Sequence, residues 1–202
     1  MRTLGLLIAG GRGRRLSAGR PKALVEVAGR TLLERALACL SACADEVRVV
    51  APRALGLPVD DGILVEDPPG EQGPLAALVA GLGAADHERA IVLGVDYPLA
   101  RPGFLAALAE LLEDRSKAYA VIPEAGGMLQ PLVAAYSPAA RPLLADRLER
   151  GERALVAAVR TLEPRIVAEA EWSTLEGGAE NFVNVNTPAD LDAVAQRLRA
   201  RS

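Results

Sequence analysis

Apolar residues fall along this chain in short dense runs, separated by longer stretches in which they recur every three or four positions. The dense runs at residues 3–9, 46–50, 63–66, 89–95 and 119–122 predict short buried strands. The periodic stretches predict helices. Thr31 with Glu34 makes a capping box, and Leu32, Leu33, Ala36, Leu37 and Leu40 fall on one face of the helix it opens. Gly73-Pro74 opens a helix to about Ala85, and Pro102 opens another to about Glu113, since proline suits a first turn. Helices are also predicted over residues 138–149 and 152–162, and Thr187-Pro188 starts a last one to about Ala200. Residues 130–136 read as the partner of strand 119–122, with Gly126-Gly127 in the turn, and residues 166–168 and 182–185 read as short strands. Strands alternating with helices predict an α/β fold, a doubly wound and mostly parallel sheet with helices on both faces. No repeat or low-complexity linker interrupts the pattern, so residues 1–202 are expected to form one domain. Ligands in such folds bind beyond the carboxyl ends of the strands.

Composition narrows the function. Hydrophobic residues make up 50% and charged residues 24%, which excludes a disordered chain. No apolar stretch is long enough for a membrane span, and the apolar start runs at once into Gly10, Gly11 and Arg12, unlike a signal peptide; a cytoplasmic location is expected. The net charge of -3 argues against nucleic acid as a partner, and aromatics at 3% leave few platforms for stacking bases. Charge is unevenly spread, however. Arg2, Arg12, Arg14, Arg15, Arg20 and Lys22 all precede Glu26, the first acid. Cys39 and Cys43 sit at helical spacing and read as buried thiols rather than a disulfide.

The candidate chemistry clusters at predicted strand ends. Ile8-Ala9-Gly10-Gly11-Arg12-Gly13-Arg14-Arg15 follows the first strand, and glycines there let backbone N–H groups approach an anion. Gly13 is followed by Arg14, so the loop is not a Walker A motif, and Leu16 stands where a dinucleotide fingerprint needs its third glycine. The alternative for the loop is a solvated glycine turn. Lys22 follows Pro21, which fixes the backbone; a held ammonium beside a phosphate loop is what phosphoryl or nucleotidyl transfer requires. Lys22 is expected in a polar loop on which the core does not depend. Asp96 ends the strand over 89–95, where a carboxylate can hold Mg²⁺ against phosphates or simply cap a turn. Asp67 ends the 63–66 strand in the same way. Asn184 and Asn186 alternate in an extended segment and so point the same way, either toward a polar ligand or, for Asn186 or Thr187, to cap the next helix. His87 reads as a solvated loop residue.

Taken together, these residues resemble the sugar-nucleotide-type nucleotidyltransferases and, within them, the molybdenum cofactor guanylyltransferases of bacteria. Four blocks match in order and span nearly the whole chain: residues 8–22; Asp67 with Gly73-Pro74-Leu75-Ala76; Asp96-Tyr97-Pro98 with Gln130-Pro131-Leu132; and residues 184–191. The resemblance implies a Rossmann-like nucleotidyltransferase fold and transfer of GMP from GTP to the terminal phosphate of molybdenum-bound molybdopterin, giving molybdopterin guanine dinucleotide and pyrophosphate, with Mg²⁺ as cofactor. It implies nucleotide contacts from Ile8, Ala9, Gly10, Gly11, Arg12, Gly13, Lys22, Asp67 and Asp96. Lys22, Arg15 and Asp96 would be catalytic, Asp96 the metal ligand, and Gly73, Gln130, Asn184 and Asn186 the acceptor contacts. Transient contact with proteins that insert or accept the cofactor is a further implication. Pro21 stands where the family commonly has Asp, Ala77 where it has Gly, and Ala51-Pro52-Arg53 where an Asn is often found. Pro-Lys is shared with sugar and cytidylyl transferases, so the alternative is a related enzyme with CTP as donor or with a sugar phosphate or cobinamide phosphate as acceptor.

Overall fold

The computed structural model describes residues 1–10, 16, 20–66, 73–113 and 118–200. Its elements are, in chain order, β1 (Thr3–Ile8), β2 (Glu26–Val27), β3 (Arg30–Thr31), α1 (Leu32–Ser41), β4 (Glu46–Val50), β5 (Leu64–Val65), α2 (Pro74–Leu82), β6 (Arg89–Gly94) and α3 (Pro102–Glu113). There follow β7 (Ala120–Ala125), β8 (Met128–Leu129), β9 (Val133–Tyr136), α4 (Ala140–Glu149), α5 (Leu155–Arg160), β10 (Arg165–Val167), α6 (Glu169–Trp172) and α7 (Pro188–Arg199). The main sheet has the order β10-β7-β9-β6-β1-β4-β5, with β8 paired to β7. Strands β6, β1, β4 and β5 run parallel, as does β10 to β7.

Burial on both sides explains the dense apolar runs. In β1, Leu4, Leu6 and Ile8 enter the core under α2, α4 and α5, while Leu7 and Ala9 enter the opposite core with α1 and α3. In β6, Ala90 and Val92 face the first core, and Ile91, Leu93 and Val95 the second. A period of two with apolar residues in both phases confines polar side chains to the first position of each strand, Thr3 and Arg89. The Thr31 capping box forms as predicted: Oγ1 accepts from the Glu34 amide, and the Glu34 carboxylate accepts from the Thr31 amide. Helix α2 lies close on the sheet at Gly81, where a Cβ would come within 3.0 Å of Val50 and 3.1 Å of Leu6.

Two strands, β8 and β9, break the parallel pattern. Gly126 and Gly127 both have positive φ, 59° and 73°, which suits a tight two-residue hairpin between β7 and β8. The chain then turns and sends β9 back between β7 and β6, antiparallel to both. The predicted strand over 130–136 is therefore a turn followed by β9. Residues 182–185 are not a strand either. Instead, a 3-10 turn spans Gly178–Phe182, pinned by the fully buried Asn181, whose amide donates to the carbonyls of Glu176 and Gly178 and accepts from the Arg101 amide. Phe182 packs edge-on against Phe104 and Trp172.

His87 is not solvated as expected: it is half-buried, Nδ1 pairs with the Ala85 carbonyl, and Nε2 is enclosed without a partner. Cys39 and Cys43 are free thiols, and burial pushes them up to about 12 and about 11, so both stay protonated and unreactive at neutral pH. Among the described residues, no helix is long and apolar enough to cross a membrane.

Candidate active site

Strand register assembles the site. Ile8 of β1 lies opposite Gly94 of β6, so Gly10 and Asp96 each stand two residues past a paired position at the same sheet edge. The Val95 amide continues the pairing to the Ile8 carbonyl, at 3.0 Å. The carbonyl of Asp96 then accepts from the Val185 amide at 2.9 Å, which docks the segment before α7 onto the end of β6. Val185 is buried while Asn184 and Asn186 on either side are exposed, but the two amides, expected to point the same way, serve different places: Asn186 meets Lys22 and Asn184 lines a neighbouring cleft.

Lys22 comes to this edge from a 3-10 turn, Lys22–Leu24, that begins after Pro21. It does not stand in a free polar loop. The residue is only 8% exposed and is followed by the fully buried Ala23. Its Nζ donates to Asp96 Oδ2 at 3.1 Å and to Asn186 Oδ1 at 2.8 Å. An ammonium has three protons, so one remains for a phosphate oxygen. The two acceptors lie 74 and 164 positions from Lys22 in the chain.

The capping alternatives at α7 resolve in favour of Thr187. Its side chain accepts from the Asp190 amide, and Asp190 accepts in return from the amides of Asn186 and Thr187. Those backbone hydrogen bonds hold the Asp190 carboxyl below the usual carboxylate range. The Asn186 side chain is thereby left for Lys22.

Lys22 and Asp96 line a cleft of about 280 Å³, together with Ile8, Gly10, Gly73, Pro74 and Leu132, and Asn186 adjoins it through Lys22. Ala9 lies just beneath, fully buried, with its amide bonded to the Val50 carbonyl. Gly73, with φ 115° and open space around it, begins α2 at the cleft wall. Of the predicted site residues, Ile8, Gly10, Lys22, Gly73, Asp96 and Asn186 thus converge, whereas Gln130 and Asn184 line a neighbouring cleft. Gly11, Arg12, Gly13, Arg14, Arg15 and Asp67 lie outside the described residues. Arg2 is at the opposite end of β1, paired with Glu46, so it does not add to the charge at this edge.

Two positions escaped the sequence reading. A Cβ on Gly94 would sit 2.6 Å from Asp96 Oδ1 and 3.1 Å from the Tyr97 ring, so glycine there lets the carboxylate fold back over the strand end. A lone glycine closing an apolar strand is the signal that could have marked it. The Tyr97 hydroxyl donates to Gln130 Oε1, and the Gln130 amide donates to the carbonyls of Ala125 and Met128. Gln130 is therefore a brace of the β7–β8 hairpin as well as part of a cleft wall.

Residues 5–164 match the MobA-like NTP transferase domain family. The chain belongs to that family. A probable molybdenum cofactor guanylyltransferase of Chloroflexus aggregans is 36% identical over 200 residues, covering 96% of this chain and 94% of that protein. A molybdenum cofactor guanylyltransferase of Yersinia pseudotuberculosis is 30% identical over 199 residues, with 98% and 97% covered. The crystal structure of molybdopterin-guanine dinucleotide biosynthesis protein A from Archaeoglobus fulgidus has the same fold, with a TM-score of 0.82 at 22% identity over 98% of this chain and 100% of that one. This MobA-like chain thus matches those relatives in sequence, and the Archaeoglobus protein in fold, over nearly its whole length.

Proposed function

We propose that this chain transfers GMP from GTP to the terminal phosphate of molybdopterin, releasing pyrophosphate and forming molybdopterin guanine dinucleotide. The observation that carries this reading is the convergence of Lys22, Asp96 and Asn186 beside Gly10 at one sheet edge. The names of the full-length relatives choose the substrates. In the reaction an oxygen of the acceptor phosphate forms a bond to the α-phosphorus, and the bond from that phosphorus to the bridging oxygen breaks. The electron pair leaves with pyrophosphate. The free proton of the Lys22 ammonium donates to a phosphate oxygen and stabilises the charge that gathers there. Pro21 and the 3-10 turn fix the ammonium before substrate arrives, so little reorganisation is needed at the moment of reaction.

Mg²⁺ suits the donor set. Among the described residues there is no group of three or more acidic, histidine or cysteine side chains that could hold a metal alone. Mg²⁺ commonly takes one or two carboxylates and completes its shell with substrate phosphates and water. Asp96 would hold it, with the Asn186 amide oxygen as a second candidate. When bound, the ion would neutralise phosphate charge and favour departure of pyrophosphate.

Thermal unfolding with each nucleoside triphosphate tests the choice of donor. GTP with Mg²⁺ should raise Tm more than CTP or UTP at equal concentration, because only ligands of the folded state stabilise it. A larger shift with CTP would overturn the guanine assignment.

Two further outcomes follow, one from the run of cations in the sequence and one from the packing at this edge. Arg12, Arg14, Arg15, Arg20 and Lys22 precede the first acid, so the GTP Kd should rise several-fold between about 0.05 M and about 0.5 M salt as screening shortens. A Kd indifferent to salt would contradict an electrostatic grip on the triphosphate. Gly94→Ala should lower turnover by roughly 10²-fold, because its methyl group displaces the Asp96 carboxylate. Crowding should cost about 1–3 kcal/mol of stability without unfolding the protein. Turnover and urea midpoint measured on one preparation separate the two effects; wild-type turnover would show that the orientation of Asp96 is unimportant.

A further inference from the structure

The capping boxes at the starts of α1 and α7 differ in one bond. At α1 the Glu34 carboxylate accepts from the amide and the hydroxyl of Thr31, the capping residue. A box of this kind needs nothing more, because the residue before the cap lies outside the helix and its amide is not one of the helix's unpaired donors. At α7 the third helical residue is the shorter Asp190, yet its Oδ2 reaches one position further back. It accepts from the Thr187 amide at 2.7 Å and from the Asn186 amide at 2.8 Å. The second of these bonds does nothing for the helix. It falls on the residue whose side chain holds Lys22.

Asn186 needs such a hold. It is exposed and lies in no strand, so neither packing nor a sheet ladder fixes its backbone. The chain is pinned before it by the Val185 amide on the Asp96 carbonyl, at 2.9 Å, and at its own amide by Asp190. From there Asn186 Oδ1 accepts from Lys22 Nζ at 2.8 Å, closer than the 3.1 Å from Nζ to Asp96. Helix α7 itself packs on β2, with Leu191 and Val194 in the same core as Val25 and Val27. The Val25 amide donates in turn to the Lys22 carbonyl. Lys22 is thus tied to α7 twice, at its backbone through the core and at its ammonium through Asn186. The bonds from the Asn186 and Thr187 amides, with the charge of Lys22 beyond them, hold the Asp190 carboxyl below the usual range, so the brace is an ionised and therefore strong acceptor.

We infer that Asp190 is a positioning residue for the transfer: through the Asn186 amide it aims the Asn186 side-chain oxygen at the Lys22 ammonium, and so sets the direction of the one proton left for a phosphate. This deepens the proposed nucleotidyl transfer and rests on it. Asp190 acts without touching nucleotide or acceptor. With its carboxylate removed, Asn186 swings away and the ammonium keeps Asp96 as its one fixed acceptor, so it turns about that bond.

Asp190→Ala and Thr187→Ala together test the inference. Both break the capping box and should lower the urea midpoint, but only Asp190→Ala releases Asn186. Lys22 and Lys117 are the only lysines in the chain, so protein labelled with ¹⁵N-lysine gives two side-chain ammonium signals in NMR spectra, told apart by Lys22→Ala. In Asp190→Ala the Lys22 signal should move toward that of a solvated lysine, and kcat should fall by roughly 10-fold. In Thr187→Ala the signal should stay in place and kcat should remain near that of the wild type. Asp190→Asn, which keeps an acceptor oxygen for the two amides, should restore most of the rate. In a Lys22→Ala background, Asp190→Ala should have no further effect on kcat, because its effect passes through the ammonium. An unmoved Lys22 signal in Asp190→Ala, wild-type kcat in that variant, or an equal loss of rate in Thr187→Ala overturns the inference. Absence of dinucleotide product from wild-type protein whose Lys22 signal depends on Asp190 would instead overturn the proposed reaction and leave the positioning standing.

Discussion

Lys22→Ala should lower turnover by roughly 10²–10³-fold, the range seen when one positioned donor to a developing anion is removed. The ammonium is one of the few groups whose place is set from several directions at once. Pro21 fixes its backbone, the fully buried Ala23 anchors the turn, and Asp96 and Asn186 hold two of its three protons. Lys22→Arg should not restore activity, because a broad guanidinium cannot occupy the space of a compact ammonium that is 8% exposed. Stability will also respond, which a lysine in a free loop would not show. The substitution leaves the Asp96 carboxylate without its countercharge, though water reaches that side chain, which is 24% exposed. The loss is therefore expected at about 1–2 kcal/mol, below the range for fully buried pairs. Single-turnover rates and urea midpoints on the same protein measure both. Near-wild-type turnover would return Lys22 to a structural role.

Asp96→Asn isolates charge from shape. The amide oxygen can still accept from Lys22, so the local fold should survive. Turnover should fall by roughly 10²-fold or more, because the substitution removes the only carboxylate that lines this cleft among the described residues. The Mg²⁺ concentration for half-maximal rate should rise at the same time. A variant with slow turnover and an unchanged Mg²⁺ response would instead assign Asp96 to holding Lys22.

Much of the fold was legible because it depends on local chemistry. The Thr31–Glu34 box, the proline starts of α2, α3 and α7, and the two-faced apolar runs of β1 and β6 carry their structure in neighbouring residues. The pairing of β9 with β7 was legible from the Gly126-Gly127 turn, but its insertion between β7 and β6 was not, since Val133–Tyr136 is apolar in every phase and carries no mark of its second neighbour. The segment over 182–185 misled for a related reason. Its Phe182 packs on Phe104 and Trp172 from a turn whose geometry is set by Asn181 and the positive φ of Gly177 and Gly178. At the site, Gly10, Lys22, Asp96 and Asn186 could be singled out by residue type and position after strands. Their pairing could not, because Lys22 meets partners from distant parts of the chain that only the sheet register brings together. Gly94 is the clearest omission: its role is the absence of a methyl group that Asp96 would strike.

The central claim is the transfer itself. Purified protein incubated with GTP, Mg²⁺ and molybdopterin, with the products separated chromatographically, should yield molybdopterin guanine dinucleotide and an equal amount of pyrophosphate. Both should depend on Lys22. Formation of a cytosine dinucleotide from CTP but no guanine product from GTP would contradict the account, as would GTP consumed with no product joined to the acceptor.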